Sequence, residues 1–206
     1  EDGLPDLTVR EIIEDADGRL WVGTESGPVV TERPLQSYPV GSRLYFVRKI
    51  GIRAIPHVRM RRGCIAADKY GTVWVATLSD GIYRYRITPA TTEVERVSTA
   101  TTPHGPNEAV QSIVIRPDGS LWVAIATGGL IVVSPDGLES EYRPPGKRAP
   151  EGIVAALHEG QGRVLWAGGT HGEIYRAQGV RADVFEKLES PLTERVTMLR
   201  ETEDHE

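Results

Sequence analysis

The side chains best equipped for chemistry in this chain are its arginines. Between residues 33 and 67 there is no Asp or Glu, but there are eight basic residues: Arg33, Arg43, Arg48, Lys49, Arg53, Arg59, Arg61 and Arg62. A guanidinium fork pairs bidentately with carboxylate or sulfate, so Arg59, Arg61 and Arg62, close together in sequence, are candidates to hold an acidic ligand such as a uronic or sulfated oligosaccharide. The competing reading is a solvated strand face that balances acids elsewhere in a chain of net charge −5. Other polar groups punctuate the sequence. Asp6, His57, His104, Asn107 and Glu151 precede runs of alternating apolar residues, and Glu25, Ser26, Asp80 and His171 fall in short turns. Turn chemistry explains most such positions without a ligand, but those that converge on one concave place would form a polar rim.

Signals for catalysis are weak. The chain has no G-x-S-x-G nucleophile elbow, and His57, His104, His158, His171 and His205 show no metal-site spacing such as H-E-x-x-H. No catalytic residue, metal or cofactor is therefore expected. A single cysteine, Cys64, excludes an intrachain disulfide and a zinc site built on several thiolates; it reads as a small apolar core residue. His158 reads as a hydrogen-bonded structural histidine. A pI near 5.6 argues against a general nucleic-acid binder. No apolar run of about 18 residues exists to span a bilayer, and the opening "EDGLPDLTVR" lacks the regions of a signal peptide. The first residue is Glu, so the 206 residues are read as a soluble segment of a longer product.

The elements that would position these groups come from a repeat. Aligning the four tryptophans gives "DADGRLWVGTESG", "DKYGTVWVATLSDG", "RPDGSLWVAIATGG" and "EGQGRVLWAGGTHG". Trp21, Trp74, Trp122 and Trp166 are 53, 48 and 44 residues apart, a spacing typical of propeller or solenoid units. A Gly stands three before the Trp at Gly18, Gly71 and Gly119, and at Gly162 if the fourth unit carries one inserted residue. Segments of period-two alternation, such as "VREIIED" and "VQSIVIR" before the Trp and "GIYRYRI" and "GGLIVV" after it, read as short antiparallel strands joined by hairpins. A weaker fourth strand follows, as in "EVERVS" and "DVFEKL".

Four strands in about 45 residues is the size of a β-propeller blade. The chain is expected to be all-β: a β-propeller segment of four four-stranded blades plus the first strand of a fifth, cut from a larger propeller of about seven blades. The units are approximately 4–50, 51–102, 103–147 and 148–190, with a partial unit at 191–206. Placing Val196 on Val9 puts Leu199 on Ile12 and Glu201 on Glu14, which sets the phase of that partial unit. Each Trp should pack between neighbouring blades, with the preceding Gly permitting the tight turn.

These residues resemble the two-component regulator propeller repeat, and "GLPDLTVREIIEDADGRLWVGTESG", residues 3 to 27, matches it nearly throughout. The later units depart from it, with "WVAT", "WVAI" and "WAGG" in place of Trp-Val-Gly-Thr. The resemblance implies the periplasmic or extracellular sensor of a bacterial membrane receptor, joined to an output kinase or cyclase elsewhere. The implied role is non-catalytic sensing of a small-molecule or oligosaccharide ligand, in partnership with the rest of the propeller and with a receptor dimer, and with no nucleic acid or membrane contact. Candidate ligand-binding residues are Arg59, Arg61, Arg62, Glu25, His57, Asp80, His104 and His171.

Two other readings compete: a secreted propeller lyase or glycan-active enzyme, and a protein-interaction scaffold. "GSLWVAIATGGLIVVSPDG" is loosely similar to a repeat of streptogramin lyases resembling virginiamycin B lyase, which would need a base such as His104 or His171 with a metal. The Asp-box of sialidases has its Asp five before the Trp, whereas Asp15 and Asp68 stand six before and Asp17 and Asp118 four before.

Overall fold

A computed structural model describes residues 3–50, 53–54, 60–78, 81–87, 92–97, 110–136, 139–141, 150–179, 182 and 184–202. Four sheets follow one another along the chain, each a four-stranded antiparallel meander. The first comprises β1 (Val9–Glu14), β2 (Leu20–Thr24), β3 (Gly27–Thr31) and β4 (Phe46–Val47). A small hairpin, β5 (Lys49–Ile50) and β6 (Arg53–Ala54), lies in the long connection to the second sheet, β7 (Ile65–Ala67), β8 (Thr72–Ala76), β9 (Ile82–Ile87) and β10 (Thr92–Val97). The third sheet is β11 (Val110–Ile115), β12 (Leu121–Ile125), β13 (Leu130–Val133) and β14 (Glu139–Glu141). The fourth is β15 (Val154–Glu159), β16 (Leu165–Gly169), β17 (Ile174–Ala177) and β18 (Phe185–Leu188). Each sheet is one blade, and the first strands β1, β7, β11 and β15 lie side by side.

The hairpin between the first two strands is where the repeat signature acts. In the first blade, the Asp15 carboxylate accepts the Asp17 and Arg19 amides at 3.0 and 2.9 Å and the Trp21 indole N–H at 2.8 Å. One short side chain thus closes the turn and anchors the ring that follows. Gly18 takes the left-handed backbone (φ 77°) that the turn requires. Asp68 repeats the turn closure with Tyr70 and Thr72, each at 2.8 Å. In the third blade the same position holds Arg116, buried, ion-paired to Glu159 of the fourth blade at 2.7 Å and lying over the Trp122 ring. The inserted residue of the fourth unit is absorbed by two successive left-handed residues, Gly162 and Arg163, both with φ 64°.

Trp21, Trp74 and Trp122 are buried. The Trp21 ring meets Tyr85 of the second blade at 5.4 Å, and Trp122 meets Phe185 of the fourth at 6.3 Å, so both rings pack across blade junctions as the repeat predicts. Trp74 has Arg84 over its face at 5.4 Å. Trp166 is only partly buried.

Inner strands are also tied from blade to blade. Glu11 Oε2 accepts the Cys64 and Ile65 amides at 2.7 and 2.9 Å, the Gly63 carbonyl accepts Ile113 N–H at 2.6 Å, and Ser112 Oγ accepts Leu157 N–H at 3.1 Å. The next step is Val196 N–H to the Gly169 carbonyl at 3.0 Å, the counterpart of Val110 N–H to the Thr77 carbonyl at 3.4 Å. Residues 195–200 therefore stand where the first strand of a fifth blade belongs, in the phase expected from the sequence. They are not a ladder strand, since a strand requires a partner carrying the complementary row of hydrogen bonds.

Candidate functional site

Three first strands carry a β-bulge at the same phase: the register shifts between Val9 and Glu11, between Val110 and Ser112, and between Val154 and Ala156. The extra residues are Arg10, Gln111 and Ala155. A bulge re-aims the side chain it displaces, and all three line one cavity of about 350 Å³ at a mouth of the central channel. Thr197, which the repeat phase places on Arg10, lines it as well. The rest of the wall comes from the approach to β7 (Met60, Arg61, Arg62), from the turns after β2 and β8 (Glu25, Leu78) and from Arg195. These are the two loop classes that gather at one end of a propeller.

The mouth is cationic. Among the described residues, four arginines, Arg10, Arg61, Arg62 and Arg195, and one carboxylate, Glu25, line it. That carboxylate is already engaged by Arg10 at 3.1 Å. Arg195 donates to the Gln111 side-chain carbonyl. Desolvation, together with the like charge of Arg61, pulls the Arg195 pKa below the usual arginine range. Arg48, the next basic group, donates to the Ser26 carbonyl at 3.0 Å.

A second cavity of about 580 Å³, which shares Arg10, Arg62 and Thr197 with the mouth, is lined by all four first strands and by residues 197–200. Its wall includes Glu11 and His158. Burial raises the Glu11 carboxyl above its ordinary value in spite of the amides it accepts. Burial also lowers the His158 pKa, and its Nε2 accepts the Glu201 amide at 3.3 Å, which fixes the proton on the other ring nitrogen. Cys64 is buried, with its thiol pushed up to about 12, and belongs to the core.

Of the residues singled out from sequence, Glu25, Arg61 and Arg62 come together at this mouth. His171 does not join them; it is exposed on the turn after β16, beside Glu173, at a separate cavity of about 470 Å³. Arg59, His57, Asp80 and His104 lie outside the described residues. Sequence reasoning missed Arg10, Gln111 and Arg195. In the alternating pattern of a regular strand nothing marks a bulge, and Arg195 gains meaning only once residues 195–200 are placed at the channel. Among the described residues, no group of three His, Cys, Asp or Glu is placed to hold a metal ion.

The four meanders around a common channel define the class: an all-β propeller architecture, of which this chain forms an arc of four blades. Residues 3–26, spanning β1, β2 and the turn after it, match the model of the two component regulator propeller family. No curated protein matches the chain in sequence. Among solved structures, it is similar to the extracellular domain of a hybrid two component system from B. thetaiotaomicron, at 17% identity and TM-score 0.66 over 94% of this chain and 26% of that one. It is also similar to the Cps50 propeller domain of Myceliophteria thermophila (16% identity, TM-score 0.61, 96% and 59% covered). A third is a luciferin-regenerating enzyme (15% identity, TM-score 0.58, 95% and 67% covered). The chain spans about a quarter of the length of the first, and at these identities the likeness is one of fold.

Proposed function

We propose that this chain is part of the ligand-binding, non-catalytic propeller region of a periplasmic or extracellular bacterial sensor, belonging to a two-component or related membrane receptor. The observation that carries the reading is the cationic mouth, where loops and bulges of four blades converge on one concave site. The family repeat in the first blade and the likeness to an extracellular two component system domain support it. The ligand class is a small acidic molecule, best matched by a uronic or sulfated oligosaccharide whose carboxylates or sulfates meet the guanidinium forks. Signalling follows from differential affinity: a ligand that binds one arrangement of the receptor more tightly shifts the population toward it.

Titration calorimetry against uronic, sulfated and neutral oligosaccharides tests this. Saturable binding of acidic sugars, lost in the Arg61→Gln/Arg62→Gln double variant and without turnover, is the expected result. Equal affinity for the neutral sugars, or no binding by any, would sink it. A second reading, a propeller enzyme, draws on the likeness to a luciferin-regenerating enzyme. Turnover abolished by chelator or by His171→Ala would favour it.

A further inference from the structure

The sequence placed the acidic-ligand site on one connecting loop, but the fold distributes its charges differently. Arg61 and Arg62 approach the mouth from the second blade, while Arg195 approaches from the segment that stands in the place of a fifth first strand. Three guanidinium groups then line one cavity, and among the described residues no carboxylate is paired with any of them. Like charges held together in a partly desolvated place repel one another, and the repulsion is relieved when an anion enters.

The second observation concerns what holds residues 195–202. Val196 N–H donates to the Gly169 carbonyl, Glu201 N–H to His158 Nε2, and the Glu201 carboxylate accepts the Gln161 amide, all on the fourth blade. Across the mouth, Arg195 reaches the third blade at Gln111. A ligand that bridges this segment to a fixed element of another blade stabilises that arrangement.

We propose that Arg61, Arg62 and Arg195 form one site for a multiply charged oxyanion, and that its occupancy ties residues 195–202 to the second blade across the channel mouth. The oxyanion is a sulfate group or a pair of carboxylates on the acidic ligand. The inference rests on the ligand-binding reading above and adds a structural consequence: a bound oxyanion bridges residues 195–202 to the second blade.

Inorganic sulfate is the probe, at constant ionic strength made up with sodium chloride. Binding is followed by calorimetry, and amide exchange of residues 194–202 by mass spectrometry. Sulfate is expected to bind saturably and to slow exchange at residues 196–202. Arg195→Gln should weaken binding roughly tenfold or more, the loss of one charge-assisted contact, and remove the protection. Arg195→Lys should keep only part of the affinity, because the charge remains and the fork is lost. Arg176→Gln, on the outer strands of the fourth blade and paired there with Glu186, is the control and should behave as the parent chain. An unchanged melting temperature in Arg195→Gln keeps a fold defect from mimicking the result. Sulfate binding without protection, or Arg195→Gln behaving as the parent, overturns the inference while the acidic-ligand reading stands. Failure of the parent chain to bind sulfate at all overturns the inference. Failure with the acidic oligosaccharides as well removes the reading on which it rests.

Discussion

At the residue scale, one carboxylate closes a turn and anchors a ring in the first blade. Asp15 is buried and accepts two turn amides and the indole N–H of Trp21. Asp15→Ala would leave that buried indole donor without its acceptor and open the turn. The expected loss is roughly 2 to 4 kcal/mol in urea unfolding, given the cost of stranding buried polar groups. Asp15→Asn should lie between, since its amide oxygen still accepts from the turn while its NH2 faces the indole N–H. Trp74→Ala removes a buried ring and should cost roughly 3 to 5 kcal/mol by the same measurement. The sequence made the tryptophans legible because they recur. Asp15 was visible only as a spacing, and its reach to the indole depends on where the turn directs the side chain. Arg116 shows why such a position resists reading: the same place in the third blade holds a cation that instead bridges to Glu159.

At the scale of elements, the inner strands carry two partly buried titratable groups whose effects on stability run in opposite directions. Glu11 has its pKa raised by desolvation. The contribution of its protonated form is complete below the ordinary value of 4.5 and is lost as pH rises through the higher folded value. Glu11→Gln keeps an acceptor for the Cys64 and Ile65 amides, so its unfolding midpoint should vary less with pH across that window. His158 has its pKa lowered by burial, with Glu201 opposing and Arg200 reinforcing the shift. Its contribution is present above 6.5 and lost as pH falls through the lower folded value. Protonation also removes the acceptor for the Glu201 amide. Exchange at that amide, corrected for its intrinsic rate, should therefore quicken on mild acidification in the parent chain but not in His158→Gln. Alternation and turn residues made the strands and their order readable. They could not reveal the bulges, because one extra residue in a strand leaves composition and spacing almost unchanged while turning Arg10 and Gln111 toward the channel.

At the scale of the molecule, the arc has two open faces. Val9 and Ile12 on the first inner strand are 41% and 55% exposed, and Met198 on the last segment is 51% exposed. Apolar side chains that in the interior of the arc are covered by the next blade are left in water here. The 206-residue chain should associate as its concentration rises, and sedimentation velocity is the check; a single monomeric species up to high concentration would contradict it. Blade number within the chain could be counted from sequence, since each blade has its own Trp. Where the channel mouth collects charge could not be, because it depends on residues as far apart as Arg10 and Arg195 meeting in space.

The ties between inner strands give these open faces a direction. Carbonyl and hydroxyl acceptors on one blade receive amides from the next: Gly63 from Ile113, Ser112 from Leu157, Gly169 from Val196. The two faces of the arc are therefore unlike, one offering acceptors and the other donors. Two copies meeting through them join head to tail rather than about a twofold axis. Such heterologous contacts either close into a ring or continue as a filament. The associated species should accordingly be a discrete closed oligomer or an open-ended series, and electron microscopy of the concentrated chain would distinguish the two.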